Sequence, residues 1–200
     1  MLSRFYLIVD NTESLERFLP LGLECVQLRI KDASPPDLKF AVREAKELCD
    51  AYRCQLIIND YWKLAIEEGC DAIHLGQEDL DAADMLAIQA AELQYGISTH
   101  DRKELRRAME LKPNYIALGP IYQTLLKKMP WRPQGLEKLT RWKTMVGDIP
   151  LVAIGGLNPE RAQGVFESGA DSICVVTDVQ QHENPANRVR QWLELCADLD

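Results

Sequence analysis

The sequence predicts a single α/β domain over residues 1–200, a (β/α)8 TIM barrel. Three observations carry that expectation. Short apolar runs alternate with longer amphipathic stretches, and such strand–helix alternation builds right-handed βαβ units around a parallel sheet. The alternation repeats eight times in 200 residues, which fits a closed barrel better than an open doubly wound sheet, although the chain is short for one. The first strand is followed by Asn11-Thr12-Glu13, not by the Gly-rich turn of an open dinucleotide-binding sheet.

The predicted strands are 5–10, 25–31, 55–60, 72–76, 94–99, 115–120, 150–156 and 172–177. Each is an apolar run of the kind that is buried on both faces of a parallel sheet. Helix starts are predicted at Thr12/Ser14, Ser34-Pro35-Pro36, Asp81, Asp101, Asn158-Pro159 and Asn184-Pro185. A Ser, Asp or Asn at such a start caps free N–H groups, and a following Pro fits the first turn. No linker, low-complexity tract or charge run divides the chain. The longest irregular stretch, 122–134, is rich in Lys, Pro and Trp. In a barrel it is the loop after strand six, on the rim that carries function.

At 46% hydrophobic residues the chain can bury a sizeable core. Its net charge of -8 argues against nonspecific nucleic-acid binding, which needs a basic surface. No apolar run approaches the roughly 20 residues of a membrane helix. Met1-Leu2-Ser3-Arg4-Phe5 leads directly into a strand, so no signal peptide is expected. Cys25, Cys49, Cys54, Cys70, Cys174 and Cys196 lack CxxC spacing. They are expected to be reduced, buried thiols in a cytoplasmic protein, not disulfides or zinc ligands. A homo-oligomer is compatible with the sequence but not indicated by it.

Candidate functional residues gather at the C-terminal ends of the strands, where α/β folds bind ligands. Alternation along strand two puts Gln27, Arg29 and Lys31 on one face and Val26, Leu28 and Ile30 on the other. The apolar set can pack under helices. The amide and the two cations then face the barrel interior or its rim and need carboxylates or an anionic ligand. An interior salt-bridge layer, with Arg29 its best member, competes with ligand binding; Lys31 lies nearest the rim. Asn59 and Asp60 close strand three, and Asp79 follows strand four. An Asp past a strand often caps the next helix; Asp60 could do so, and Asp81 is a better cap than Asp79. Two carboxylates on adjacent strands beside cations also suit Mg2+ with a phosphate ligand.

Ser98 shares a face with Gly96 and His100, so its hydroxyl can reach the same rim. His100 could act as a general acid or base, but the helix start at Asp101 explains its place equally well. His74, inside a strand, is expected to be a hydrogen-bonded interior histidine, and His182 lies in a polar loop. Gly155-Gly156 ends strand seven and Val175-Val176-Thr177 ends strand eight. Barrels bind phosphate at these two strand ends through backbone N–H groups. After strand six, Thr124 offers a hydroxyl and Lys127 a cation, unless that loop is simply a solvated basic segment. Two anion sites on one rim suggest joining two phosphorylated substrates, not isomerising one.

The segments Gln27-Leu28-Arg29-Ile30-Lys31-Asp32, Ile58-Asn59-Asp60, His74-Leu75-Gly76-Gln77-Glu78-Asp79-Leu80, Gly96-Ile97-Ser98-Thr99-His100, Gly119-Pro120-Ile121-Tyr122-Gln123-Thr124 and Val152-Ala153-Ile154-Gly155-Gly156 occur in that order. Together they resemble the thiamine phosphate synthase family over nearly the whole chain. The resemblance implies a barrel that joins hydroxymethylpyrimidine diphosphate to hydroxyethylthiazole phosphate and releases diphosphate with Mg2+. It implies that Gln27, Leu28, Arg29, Ile30, Lys31 and Asn59 contact the pyrimidine diphosphate and that Asp60 and Asp79 hold the metal. Ser98 and Lys127 would add diphosphate contacts, which makes Lys31, Ser98 and Lys127 the catalytic candidates. Thr124, Leu126, Gly156, Val176 and Thr177 would fall at the thiazole phosphate site.

The family's mechanism is dissociative: diphosphate leaves first, and the thiazole nitrogen attacks the resulting methylene cation, so no side-chain nucleophile is required. Two positions depart from the family pattern. Leu126 stands where Thr is common, so one phosphate contact must come from backbone or be lost, and Thr177 stands where Ser is frequent, keeping the hydroxyl. The nearest alternatives are a related thiazole tautomerase, which relies on a histidine near strand five, and a noncatalytic phosphate-binding barrel. Tautomerases of this kind typically lack the acidic pair that Asp60 and Asp79 provide.

Overall fold

In the computed structural model, which describes residues 2–124 and 132–197, eight parallel strands close on themselves in chain order. They are β1 (Phe5–Val9), β2 (Cys25–Leu28), β3 (Gln55–Asn59), β4 (Ala72–Leu75), β5 (Gln94–Thr99), β6 (Tyr115–Leu118), β7 (Leu151–Ile154) and β8 (Ser172–Val175). β8 pairs back onto β1, with Phe5 opposite Ile173 and Leu7 opposite Val175. The (β/α)8 expectation is met, strand for strand.

Alternation along these short strands divides the apolar residues between two cores. Outward-facing Leu7, Val26, Leu28, Ile58, Ile73, Ile97 and their neighbours pack under the helices. Inward-facing Tyr6, Ile8, Cys25, Ile57, Ala72, Tyr115, Ala117, Val152 and Cys174 fill the lumen, as side chains do in barrels of this size. Above that plug the inward positions turn polar: Gln27, Asn59 and His74 are all buried. All six cysteines are buried as well. Among the described residues, no helix is long and apolar enough to cross a membrane.

The helix starts follow their caps, with two shifts. Ser34, Asp101, Asn158 and Asn184 accept hydrogen bonds from N–H groups of the first turns they precede, as expected. The helix Thr12–Phe18 is capped one residue earlier than expected, by Asn11, which accepts from Ser14 N. Asp81 caps nothing. It lies inside the helix Gln77–Ala82, pairs with Arg107 at 2.6 Å, and leaves Asp84 to cap the next helix, Met85–Ala90.

Strand two also ends sooner than predicted, at Leu28 and not Lys31. The neighbouring strand β1 stops at Val9, whose carbonyl takes the Arg29 N–H at 2.8 Å, and beyond that pair there is no ladder to continue. The chain then leaves the sheet and reaches a left-handed Asp32 (φ 62°). Arg29 is therefore exposed at the mouth and makes no ion pair with a described residue. An interior salt-bridge layer does not form around it.

Candidate active site

One side of the mouth is built from side chains on β2 to β5. Lys31 Nζ lies 2.5 Å from Asp60 Oδ2, and Asn59 Nδ2 donates to Asp60 Oδ1 at 2.6 Å. Asp60 is thus held by two donors and does not cap the helix Trp62–Glu67, which has no side-chain cap. Its backbone is left-handed (φ 65°), a conformation that Asp tolerates better than most residues but that still has a cost. The Asp60 N–H is anchored to the His74 carbonyl at 2.9 Å, so β3 and β4 together fix the turn.

Asp79 stands in the first turn of the helix Gln77–Ala82, beside Asp60. Burial and then the neighbouring Asp60 carboxylate raise its pKa, and Lys31 partly opposes them. Gly76 makes this approach possible, because a Cβ there would lie 2.9 Å from Asp79 Oδ2. Two carboxylates and a lysine therefore share one small space. Among the described residues no group of three or more His, Cys, Asp or Glu is arranged to hold a metal ion. A pair of hard oxygen ligands suits Mg2+ best, since that ion keeps several waters and takes one or two carboxylates plus substrate phosphates.

The floor beneath this pair is polar and only partly satisfied. Gln27 Nε2 and Asn59 Oδ1 are buried without a hydrogen-bond partner. Such orphans are costly and uncommon in a finished core. One is a donor and the other an acceptor, which suits a polar heterocycle.

Register explains the next layer. Asn59, His74, Gly96 and Tyr115 are successive partners across β3 to β6. A Cβ on Gly96 would sit 2.0 Å from Tyr115 Cζ, so the glycine lets the phenol ring cross its strand. Tyr115 stacks on His74 with centroids 5.5 Å apart, and its hydroxyl lies 2.8 Å from His74 Nδ1. His74 Nε2 lies 2.8 Å from Ser98 Oγ, and Ser98 O accepts from Gln77 Nε2 at 2.7 Å. His74 is indeed a hydrogen-bonded interior histidine. Burial lowers its pKa to about 4, so this Ser–His contact lacks the basic imidazole that would activate a nucleophile. His100 turns elsewhere: its Nδ1 and its backbone N–H both meet Glu104 Oε2, at 2.9 and 2.6 Å.

The opposite side of the mouth, on β6 to β8, is built from backbone. Gly155 (φ 97°) and Gly156 (φ 65°) follow β7. Their missing side chains admit the segment after β6: Cβ atoms would come within 2.7 Å of Pro120 Cα and 2.6 Å of Gln123 O, respectively. Ile121 N donates to Ile154 O and Tyr122 N to Gly155 O, which fixes that segment against the turn. Thr124 therefore stands next to the glycines, with its Cγ2 facing Gly155. Val176 packs against the lumen cluster, and Thr177 opens the short helix Thr177–Gln180. Asp178 in that helix is clamped by Arg188 and accepts from Trp192 Nε1 at 2.7 Å, tying the turn to the C-terminal helix Pro185–Ala197.

The structure thus gathers Gln27, Lys31, Asn59, Asp60, Asp79 and Ser98 at one side of the mouth, and Thr124, Gly156, Val176 and Thr177 at the other. Leu28 and Ile30 pack on the helix side, so only their backbone can meet a ligand; the Ile30 carbonyl already accepts from Tyr61 Oη at 3.3 Å. Leu126 and Lys127 lie outside the described residues. Sequence reasoning missed Gly76 and Tyr115, and it did not join His74 to Ser98. The one signal available was the in-phase spacing of Tyr115 with the lumen residue Ala117.

Fold and rim together define a closed (β/α)8 barrel with anion-ready groups on both sides of one mouth. Residues 5–179 match the thiamine monophosphate synthase family (TMP-TENI). The chain is 57% identical to the thiamine-phosphate synthase of Rhizobium etli over 98% of its own length and 96% of the relative's. It is 44% identical to that of Citrobacter koseri, over 97% and 89% of the two chains. It also superposes on a thiamine phosphate pyrophosphorylase from Pyrococcus furiosus with a TM-score of 0.87 and 26% identity, covering 98% and 96% of the two chains. The protein belongs to the thiamine monophosphate synthase family.

Proposed function

We propose that this chain is a transferase that condenses hydroxymethylpyrimidine diphosphate with hydroxyethylthiazole phosphate, yielding thiamine phosphate and diphosphate. The observation that carries this reading is the Asp60–Asp79 pair, bridged to Lys31 and set over the unsatisfied amides of Gln27 and Asn59. Asp60 and Asp79 would hold Mg2+, which when bound neutralises charge on the departing diphosphate. Lys31 and Ser98 contribute a cation and a hydroxyl to the same phosphates. Arg29, exposed at the mouth, adds a second cation, and Lys127 is the proposed third.

Gln27 and Asn59 orient the pyrimidine, whose amino group and ring nitrogens need one acceptor and at least one donor. The thiazole phosphate rests on the backbone side, against Thr124, Gly156 and the Val176–Thr177 turn. With these groups the protein stabilises a leaving anion and aligns two substrates, which is what a dissociative route requires of it. His74 is too weak a base to make Ser98 a nucleophile, and that supports the same route. A cytoplasmic setting with reduced cysteines goes with this chemistry.

The decisive experiment incubates purified protein with Mg2+ and both substrates and measures thiamine phosphate. Formation of that product together with diphosphate is expected. Binding of diphosphate without turnover would sink the reading in favour of a noncatalytic barrel. The tautomerase alternative is disfavoured by the Asp60–Asp79 pair, which such relatives typically lack.

A further inference from the structure

We infer that Tyr115 and His74 are positioning residues that set the direction of the Ser98 hydroxyl proton, so that Ser98 donates to an anion at the mouth. This rests on the reading of the mouth as a diphosphate site. The geometry is a short relay from the lumen to the rim: Tyr115 Oη to His74 Nδ1 at 2.8 Å, and His74 Nε2 to Ser98 Oγ at 2.8 Å. A hydroxyl donates one proton and a neutral imidazole donates from only one nitrogen, so the relay runs in one of two senses.

The surroundings of Tyr115 select between them. Tyr115 is buried, and its other polar neighbours are the Tyr6 hydroxyl and the thiols of Cys25 and Cys174. Thiols are weak acceptors, and the short hydrogen bond that the Tyr115 hydroxyl forms is the one to His74 Nδ1, at 2.8 Å. Among the described residues, His74 Nδ1 is the acceptor best placed for the Tyr115 proton. If His74 carried its proton on Nδ1, the phenol proton would lose that acceptor and remain buried without a good partner. The ring is therefore the Nε2–H tautomer, and Nε2–H donates to Ser98 Oγ.

Ser98 then cannot spend its own proton on the histidine. Its hydroxyl is left as a donor in a half-buried position on the rim, at the same mouth as the Asp60–Lys31 pair. A phosphate oxygen has no proton to give and accepts such a hydrogen bond. With the opposite tautomer, Ser98 would donate inward and present only lone pairs to the anion, which would repel it. Gly96 is part of the device, since a side chain there would push the Tyr115 ring out of line.

The tautomer can be read directly. The chain has three histidines, so long-range proton–nitrogen spectra of 15N-histidine-labelled protein are assignable. Comparison with His100→Asn and His182→Asn identifies the His74 signals without disturbing the lumen. The Nε2–H pattern is expected, and an Nδ1–H pattern overturns the inference. Diphosphate binding with Mg2+ supplies the second readout. Tyr115→Phe keeps the ring but removes the directing proton, and should weaken binding about tenfold, close to Ser98→Ala. The double variant should bind no worse than either single one. Additive losses would mean that Tyr115 only supports packing, and would overturn the inference too. If wild type binds diphosphate but forms no thiamine phosphate, the proposed function fails while the tautomer still decides this inference.

Discussion

The two sides of the mouth, to which the proposed function assigns two phosphorylated substrates, are built of different materials. On β2 to β5 the groups are side chains: Lys31, Asn59, Asp60, Asp79 and Ser98, each held by a specific partner. On β6 to β8 they are main chain, exposed by Gly155 and Gly156 and braced by the segment from Pro120 to Thr124. The side-chain half carries full charges that respond to one another, as the raised pKa of Asp79 shows. The backbone half carries fixed dipoles, and its accuracy depends on packing. Substitutions should accordingly damage chemistry on one side and substrate affinity on the other.

Asp60→Ala should have the largest effect, at least a hundredfold loss of turnover, the order seen when a main electrostatic contact to a reacting group is removed. Its melting temperature should stay near wild type, and retention of Mg2+-dependent activity would misplace the metal. Gly156→Ala should act on the other half. The new Cβ would meet Gln123 O at 2.6 Å on a left-handed residue, costing about 1–3 kcal/mol of stability. The KM for thiazole phosphate should rise more than that for the pyrimidine diphosphate, and an equal rise would erase the distinction between the halves.

A third prediction concerns the floor they share. His74 is neutral in the fold, with a pKa near 4 against 6.5 when unfolded. The unfolded chain therefore binds a proton first as the pH falls. The contribution of His74 is complete above pH 6.5, erodes down to about pH 4 and is then level. The loss is about 3 kcal/mol at most. Urea midpoints of wild type and His74→Gln should converge across that window. The smallest effect is expected for Gly76→Ala. Its backbone is already extended (φ -73°), and the Cβ would meet only the movable end of Asp79, 2.9 Å away. Stability should change by less than about 0.5 kcal/mol, while the Mg2+ concentration for half-maximal rate should rise a few-fold.

The same division governs what could be read from residues alone. Strand positions, most helix caps and the gathering of Lys31, Asn59, Asp60 and Asp79 at one rim were legible, because polar residues that close apolar runs on adjacent strands must meet at the same end of the sheet. The end of β2 was not, since it depends on where β1 stops, and that end decides between the interior and the rim for Arg29 in favour of the exposed rim. Asp81 looked like a cap because the start of the helix at Gln77 has no capping side chain to announce it. The contact of His74 with Ser98 and Tyr115 requires the register of three strands and a glycine whose value is an absent atom. None of that is encoded in local spacing.

The left-handed backbone of Asp60 has a consequence for how such a protein would drift if its product were no longer needed. This position joins an uncomfortable φ of 65° to a side chain only 12% exposed that faces a second carboxylate. Glycine fits the same backbone without penalty and removes the repulsion. A lineage selected only for persistence of the folded chain would be free to lose this aspartate. Among barrels of this shape, a glycine at that turn would be the mark of a protein that no longer needs a carboxylate there and has kept its fold.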